Sequence, residues 1–317
     1  MVIGDTGEAL VCIEILLPDS RVFSARMGLA LSLSMGSSGG GLEEALILLY
    51  LLVDDAYRIV TFGGRLRHRG PEPKLSDVEV LTMEIFGEQQ GRHDDAAIHR
   101  YFDGHWRHFF PDLGSYQAFA RQCAALSLIK QRILDLVFPA SDTIHVLDGF
   151  PIPVCRACRG HRCRTFRGEA AWGYCATKKE HFYGLRGHLV IDLAGTAVAF
   201  TVTAANIDER DVVPNLYDKV RGLLIGDKGF ISGELKAEAA AHDIDLQTPL
   251  RKNMPDDRDP GAVARLMRTR RAVETAIGKL SEMFAAQTTK ARDLPGFVNR
   301  MARKLLAYNF SLMSTQS

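Results

Sequence analysis

Three carboxylates stand where an acidic side chain could do chemistry. Asp148 follows the β-branched, apolar run "TIHVL", Asp227 follows "GLLIG", and Glu274 lies inside the helical pattern "RTRRAVETAIGKL". Acidic residues at the carboxyl ends of strands in an α/β sheet point into the crevice where ligands bind. Taken singly, each has an ordinary explanation: a strand-end Asp is a common turn former or cap, and "GDKGF" alone is a Gly-flanked turn. Together they offer hard oxygen donors of the kind that hold Mg²⁺ or Mn²⁺ while leaving positions for water and a phosphate oxygen. Two such ions about 3.5–4 Å apart activate the attacking oxygen and stabilise the leaving one in an in-line displacement at phosphorus.

The segment after Asp148 offers a rival chemistry. Cys155, Cys158 and Cys163, with His161 between them, include a C-x-x-C pair and an imidazole, two features of a zinc site. A structural zinc normally draws its second ligand pair from a separate segment, and only Cys175 is near. The favoured reading is a basic loop that tracks phosphates, with Arg164 and Arg167 in it and Lys178 and Lys179 following; whether the thiols also bind metal stays open. His145 and His188 lie in strand-like segments beside the proposed crevice and could act as acid or base near neutral pH. Two-metal chemistry requires neither, so both are read as structural. "DERD", Asp208 to Asp211, reads as a helix start.

The elements that must position these residues are read from periodicity. Residues 1–41 end in the Gly/Ser-rich "MGSSGGG" and read as a poorly structured extension, with Met35 an alternative start to Met1. Residues 42–140 read as helical. "ALILLYLLV" is a buried helix too short to span a bilayer, Ser76 and Glu79 form a capping box, and "AAIHRYFDGHW" and "SYQAFARQCAALSLIKQRILDLVF" supply two more helices. With the basic lead-in "RLRHRGPEPK" this suits a DNA-binding module, or equally a bundle that only supports the next domain. Residues 141–317 alternate strand and helix. "DTIHVLD", the two strands of "YGLRGHLVIDLAGTAVAFTVTAA", "GLLIG" and "DIDLQTPL" form a mixed sheet; helices cover 233–242 and about 262–284, and "FVNRMARKLLAYNFSL" is an amphipathic tail helix with Arg300, Arg303 and Lys304 on its polar side.

Bulk composition narrows the partners. The chain has 317 residues, 46% of them hydrophobic, with a net charge of only +1, so any nucleic-acid affinity must come from local clustering. Residues 155–188 carry eight basic side chains against two acidic ones, and residues 265–304 carry ten against three. Six scattered cysteines and an amino terminus without a signal-peptide pattern read as a reduced cytoplasmic protein, with no membrane partner. No Walker-type or dinucleotide-binding glycine pattern is present.

"LDGFPIPV", "YGLRGHLVIDLAGTAVAFTVTAANIDERDVVPNL", "LLIGDKGFIS" and "RRAVETAIGKL" together resemble the DDE transposases of bacterial insertion sequences, over about residues 75–310. The resemblance implies a ribonuclease-H-like catalytic core: an α/β fold with a mixed sheet flanked by helices, preceded by an all-helical N-terminal region. It implies that Asp148, Asp227 and Glu274 are the catalytic triad and hold two Mg²⁺ or Mn²⁺ ions, and that Arg270, with Arg271 as the other candidate, grips the DNA backbone. The chain departs from one branch of the family in having Met267 and Ser281 where Tyr and Lys stand. The implied partners are double-stranded DNA, namely terminal inverted repeats and target, and a second copy of the chain in a homodimer or larger synaptic complex, in the bacterial nucleoid. The implied activity is strand cleavage at element ends and transfer to target DNA. Two rivals keep the same residues: a nuclease or resolvase without strand transfer, and an inactive, transposase-derived DNA-binding protein.

Overall fold

The computed structural model of the chain describes residues 41–63, 72–140, 143–176 and 179–315. The expected extension up to residue 40, the choice between Met1 and Met35, most of "RLRHRGPEPK" and Lys178 lie outside the described residues.

Among the described residues, five helices come first: α1 (Leu42–Thr61), α2 (Asp77–Gln89), α3 (Asp95–His105), α4 (Tyr116–Ala125) and α5 (Ser127–Val137). The capping box forms as expected, with the Glu79 N–H donating to Ser76 Oγ at 3.1 Å and the Ser76 N–H to Glu79 Oε2 at 2.6 Å. α1 is only half buried. Leu46, Leu49 and Val53 face the core, whereas Ile47 and Leu51 are exposed, so the apolar run is not a buried helix on every side. The long pattern beginning at Ser115 is two helices rather than one, because the backbone leaves helical geometry at Leu126, whose N–H still bonds the Gln122 carbonyl.

The sheet comes next: β1 (Ile144–Pro153), β2 (Ala171–Cys175), β3 (Glu180–Ile191), β4 (Ala197–Ala204), β5 (Gly222–Ile225) and β6 (Ile244–Gln247). Its order is β2-β3-β1-β5-β6, with β4 also on β3. β3 runs antiparallel to β1, β2 and β4, while β1, β5 and β6 are mutually parallel. The expected mixed α/β class with a helical N-terminal region is therefore what folds. β2 has no counterpart among the expected strands, since "AWGYC" lies in a stretch whose arginines read as loop.

α6 (Gly233–Ala240), α7 (Pro260–Glu282) and α8 (Leu294–Thr315) complete the fold. Alternate strand residues point to opposite faces. Val146, Leu189 and Ile225 join Val273, Ala276 and Leu280 of α7 in one apolar cluster. Leu147, Val190, Leu224 and Leu246 join Val213, Leu216 and Phe230 in another, supplied by a 3-10 segment (Glu209–Leu216) and the turn after β5.

α8 corrects the reading of its polar side. Arg303 and Lys304 are fully buried, in an ion network with α2, α3 and α5. Arg303 donates to Glu88 Oε1 at 2.8 Å and Asp95 Oδ1 at 2.7 Å, Lys304 Nζ reaches Glu88 Oε2 at 3.0 Å, and Lys130 Nζ reaches Glu84 Oε2 at 2.7 Å. Glu84, Glu88 and Asp95 thus meet Lys130, Arg303 and Lys304, with Arg300 also reaching Asp95 at 3.5 Å, and this pairing is how so much charge survives burial. Burial alone would raise the Glu88 carboxyl, yet the hydrogen bond from His93 and the charges of Arg303 and Lys304 hold it below the usual range.

Candidate active site

The parallel pairing of β1 with β5 ends at Val146 and Ile225. Asp148 and Asp227 each lie two residues further on, so both side chains leave the sheet on the face that Val146 and Ile225 present to α7. Asp148 is not the last residue of its strand: β1 continues to Pro153 on β3, and only the neighbour on the other side has stopped. That lopsided ending opens the crevice beside Asp148. α7 lies across it, held down by Val273, Ala276 and Leu280 at helical spacing, and this packing turns Arg270 and Glu274 toward the two strand-borne acids.

Arg270 joins all three carboxylates. Its Nη2 lies 3.2 Å from Asp227 Oδ1 and 3.9 Å from Asp148 Oδ2, and its Nη1 lies 3.1 Å from Glu274 Oε1, one helical turn along α7. The guanidinium is 15% exposed and Asp148 20%, against 39% for Asp227 and 52% for Glu274, so the cluster grades from the buried strand outward to solvent. Arg270 Nε is buried and has no hydrogen-bond partner. Burial pushes the Asp148 carboxyl up to about 6, against the Gly149 N–H it accepts at 2.8 Å and the charge of Arg270, with Asp227 and Glu209 adding to the rise.

The donor set suits a hard divalent cation, since three carboxylates share one guanidinium and remain doubly negative in their ionised forms. Their present geometry is set by the guanidinium instead. Among the described residues, no group of three or more His, Cys, Asp or Glu side chains is arranged to hold a metal ion as it stands. That covers Cys155, Cys158, Cys163 and His161 as well. Cys163 Sγ meets Thr165 Oγ1 at 3.0 Å.

The other residues singled out in the sequence are dispersed. Arg271, Arg164, Arg167 and Lys179 are exposed, away from the carboxylates' ion pairs. The basic loop is anchored by buried Phe166, whose N–H donates to the Arg292 carbonyl at 3.1 Å, and by Glu169, which accepts from the Leu294 N–H at 3.2 Å. His145 and His188 are fully buried. His188 Nε2 meets Thr203 Oγ1 at 3.2 Å, and burial, helped by the charge of Arg186, pushes this imidazole down to about 4.

Sequence reasoning missed one pair beside the crevice. Arg186 on β3 is ion-paired through Nη1 to Glu209 Oε1, and its Nη2 donates to the Tyr174 carbonyl on β2 at 3.1 Å. "DERD" does begin a 3-10 segment, with the Asp208 side chain accepting from the Arg210 N–H at 3.0 Å, and that local role concealed what Glu209 does. The available signal was a charged residue at 186 in a strand that is otherwise apolar toward its end.

The sheet order, the strand senses and a helix-borne carboxylate facing two strand-borne ones define the ribonuclease-H-like class. Residues 139–294, just under half of the chain, match the family described as the transposase DDE domain, which supports a DDE transposase. Members of this family generally act on nucleic acid and use divalent metal ions. No curated protein and no solved structure matches the chain. Among the described residues, no helix is long and apolar enough to cross a membrane.

Proposed function

We propose that this protein is an active transposase that cleaves DNA at the ends of its own element and joins the freed 3′ hydroxyls to target DNA. The observation that supports this reading most strongly is the gathering of Asp148, Asp227 and Glu274, from two parallel strands and a helix, around the single guanidinium of Arg270. Asp148 and Asp227 would hold both divalent ions and Glu274 one of them; when bound, the ions supply Lewis-acid activation of the attacking and leaving oxygens. Arg270 keeps the carboxylates together before DNA arrives. Its planar fork then turns to a backbone phosphate, which it can pair bidentately, and releases the carboxylates for cation binding. Lys178, Lys179, Arg164 and Arg167 supply phosphate affinity without sequence preference, with Arg271 as a further contact on α7. Helices α1–α5 recognise the element ends, residues 141–317 form the catalytic unit, and two or more copies hold both ends together.

The test uses the full chain with duplexes taken from both flanks of its reading frame, a supercoiled target plasmid, and Mg²⁺ or Mn²⁺. Cleavage and 3′-end joining are expected, and each should fall by about a thousandfold or more in Asp148→Asn, Asp227→Asn and Glu274→Gln. Cleavage without joining supports the nuclease or resolvase reading. Tight binding with neither reaction, unchanged by those substitutions, supports a DNA-binding role alone.

A further inference from the structure

Glu209 stands outside the ion pairs of the three carboxylates, wedged between strand β1 beside Asp148 and the turn that follows Asp227. Its Oε1 lies 3.5 Å from where a Cβ on Gly149, next to Asp148, would sit. Its Oε2 fills the space that a Cβ on Gly229, two residues past Asp227, would need. The same carboxylate is held by Arg186 Nη1, while the other arm of Arg186 is fixed on the Tyr174 carbonyl. Both side chains are largely buried, at 19% and 23% exposed, although an ion pair made only for solubility would lie in solvent. One pair thus ties β2 and β3, through the 3-10 segment, to the backbone on either side of the crevice. Glycine at 229 is what lets the carboxylate approach so closely, whereas a Cβ at 149 would only meet it at ordinary contact distance.

We infer that Glu209, braced by Arg186, is a positioning residue that sets the separation of Asp148 and Asp227 and thereby the affinity of the site for divalent cations. This rests on the reading of the three carboxylates as a cation site. Glu209 itself touches neither the DNA nor the ions; its effect passes through the backbone at Gly149 and Gly229. Partners one shell out from metal-ligating groups typically change metal affinity by about 10- to 100-fold when removed.

The experiment measures Mn²⁺ binding to the full chain by calorimetry, in the presence of flank DNA, for the wild type, Glu209→Ala, Arg186→Ala, the double variant, Glu209→Gln and Asp148→Asn. Thermal unfolding and flank-DNA affinity are followed in parallel. Weakening of Mn²⁺ binding by about tenfold or more is expected in each single Ala variant, with DNA affinity retained. The double variant should be no worse than either single one, because one strut is lost in all three. Glu209→Gln, which keeps length and one hydrogen bond to Arg186, should recover most of the affinity. Wild-type Mn²⁺ affinity in Glu209→Ala, or additive losses in the double variant, overturns the inference while leaving the triad intact. Unchanged Mn²⁺ binding in Asp148→Asn instead overturns the carboxylate reading, and the inference with it. If Glu209→Ala does not fold, Glu209→Gln and Gly229→Ala decide. The first should bind Mn²⁺ within about threefold of wild type, and the second, which displaces Glu209 from the other side, should weaken binding as the strut loss would; wild-type binding by Gly229→Ala overturns the inference.

Discussion

Arg270 makes the behaviour of single residues at the crevice unusual, because one cation serves three acids. Replacing it by Lys keeps the charge but loses the planar fork, so Arg270→Lys should bind DNA ends more weakly and leave the carboxylates less well ordered; a fall in cleavage of about tenfold or more, measured at saturating Mn²⁺, is the expected outcome. His188 gives a prediction about pH. Its imidazole is pushed down to about 4 by burial, below the ordinary value near 6.5 that the unfolded chain shows. A depressed folded value means that the neutral, buried form contributes stability above about 6.5, and that this stability is lost as pH falls through about 4. The loss is at most about 3 kcal/mol. His188→Gln should flatten that part of the acid-unfolding curve, and the ring should titrate near 4 by NMR. At this scale the sequence showed the acids but not their surroundings. Asp148, Asp227 and Glu274 each interrupt a clear apolar or helical pattern, whereas Glu209 sits in a segment whose polar composition fits a helix start equally well. Its pairing with Arg186 depends on how β3 and the 3-10 segment pack, which spacing along the chain does not encode.

Among the elements, α8 ties the helical region to the sheet. It carries Arg303 and Lys304 into a fully buried network with Glu84, Glu88 and Lys130, and Tyr308 donates to the Gly195 carbonyl at 2.8 Å in the β3–β4 turn. Removing one partner of such a network strands its neighbours without counter-charge. Glu88→Ala and Arg303→Ala should each cost about 3–5 kcal/mol in unfolding free energy, measured by denaturant titration, whereas trimming an exposed pair such as Arg107 with Asp103 should cost well under about 1 kcal/mol. The network also shows why the end of the chain is misread from sequence. An amphipathic pattern identifies a polar stripe, but whether that stripe meets water or another stripe depends on the partner helix, and α2 presents Glu84 and Glu88 from within an otherwise apolar surface. Strands β1 and β3–β6 are legible because their β-branched runs are bounded by turns. β2 is not, since it is an edge strand whose exposed Trp172 and Tyr174 alternate with Gly173 and leave no apolar run to detect.

On the scale of the whole molecule, a net charge of only +1 means that the proposed DNA binding would depend on local clusters. Affinity for flank DNA should therefore fall steeply with salt, and each of Arg164→Ala, Arg167→Ala and Lys179→Ala that removes a phosphate contact should reduce the slope of log affinity against log salt by about one, across sequences alike. Fluorescence anisotropy at several salt concentrations measures this directly. The helical region and the sheet share one apolar core, with Phe86 and Phe102 in the same cluster as Val146 and Phe297. In the proposed mechanism, Asp148, Asp227 and Glu274 together form a divalent-cation site from which Arg270 withdraws. Anomalous diffraction from crystals of the full chain with flank DNA and Mn²⁺ tests it most directly. Manganese peaks are expected between Asp148 and Asp227, with Glu274 beside one of them and the Arg270 guanidinium on a DNA phosphate. Ordered DNA with no peak at these carboxylates, and Arg270 still bridging them, would contradict it.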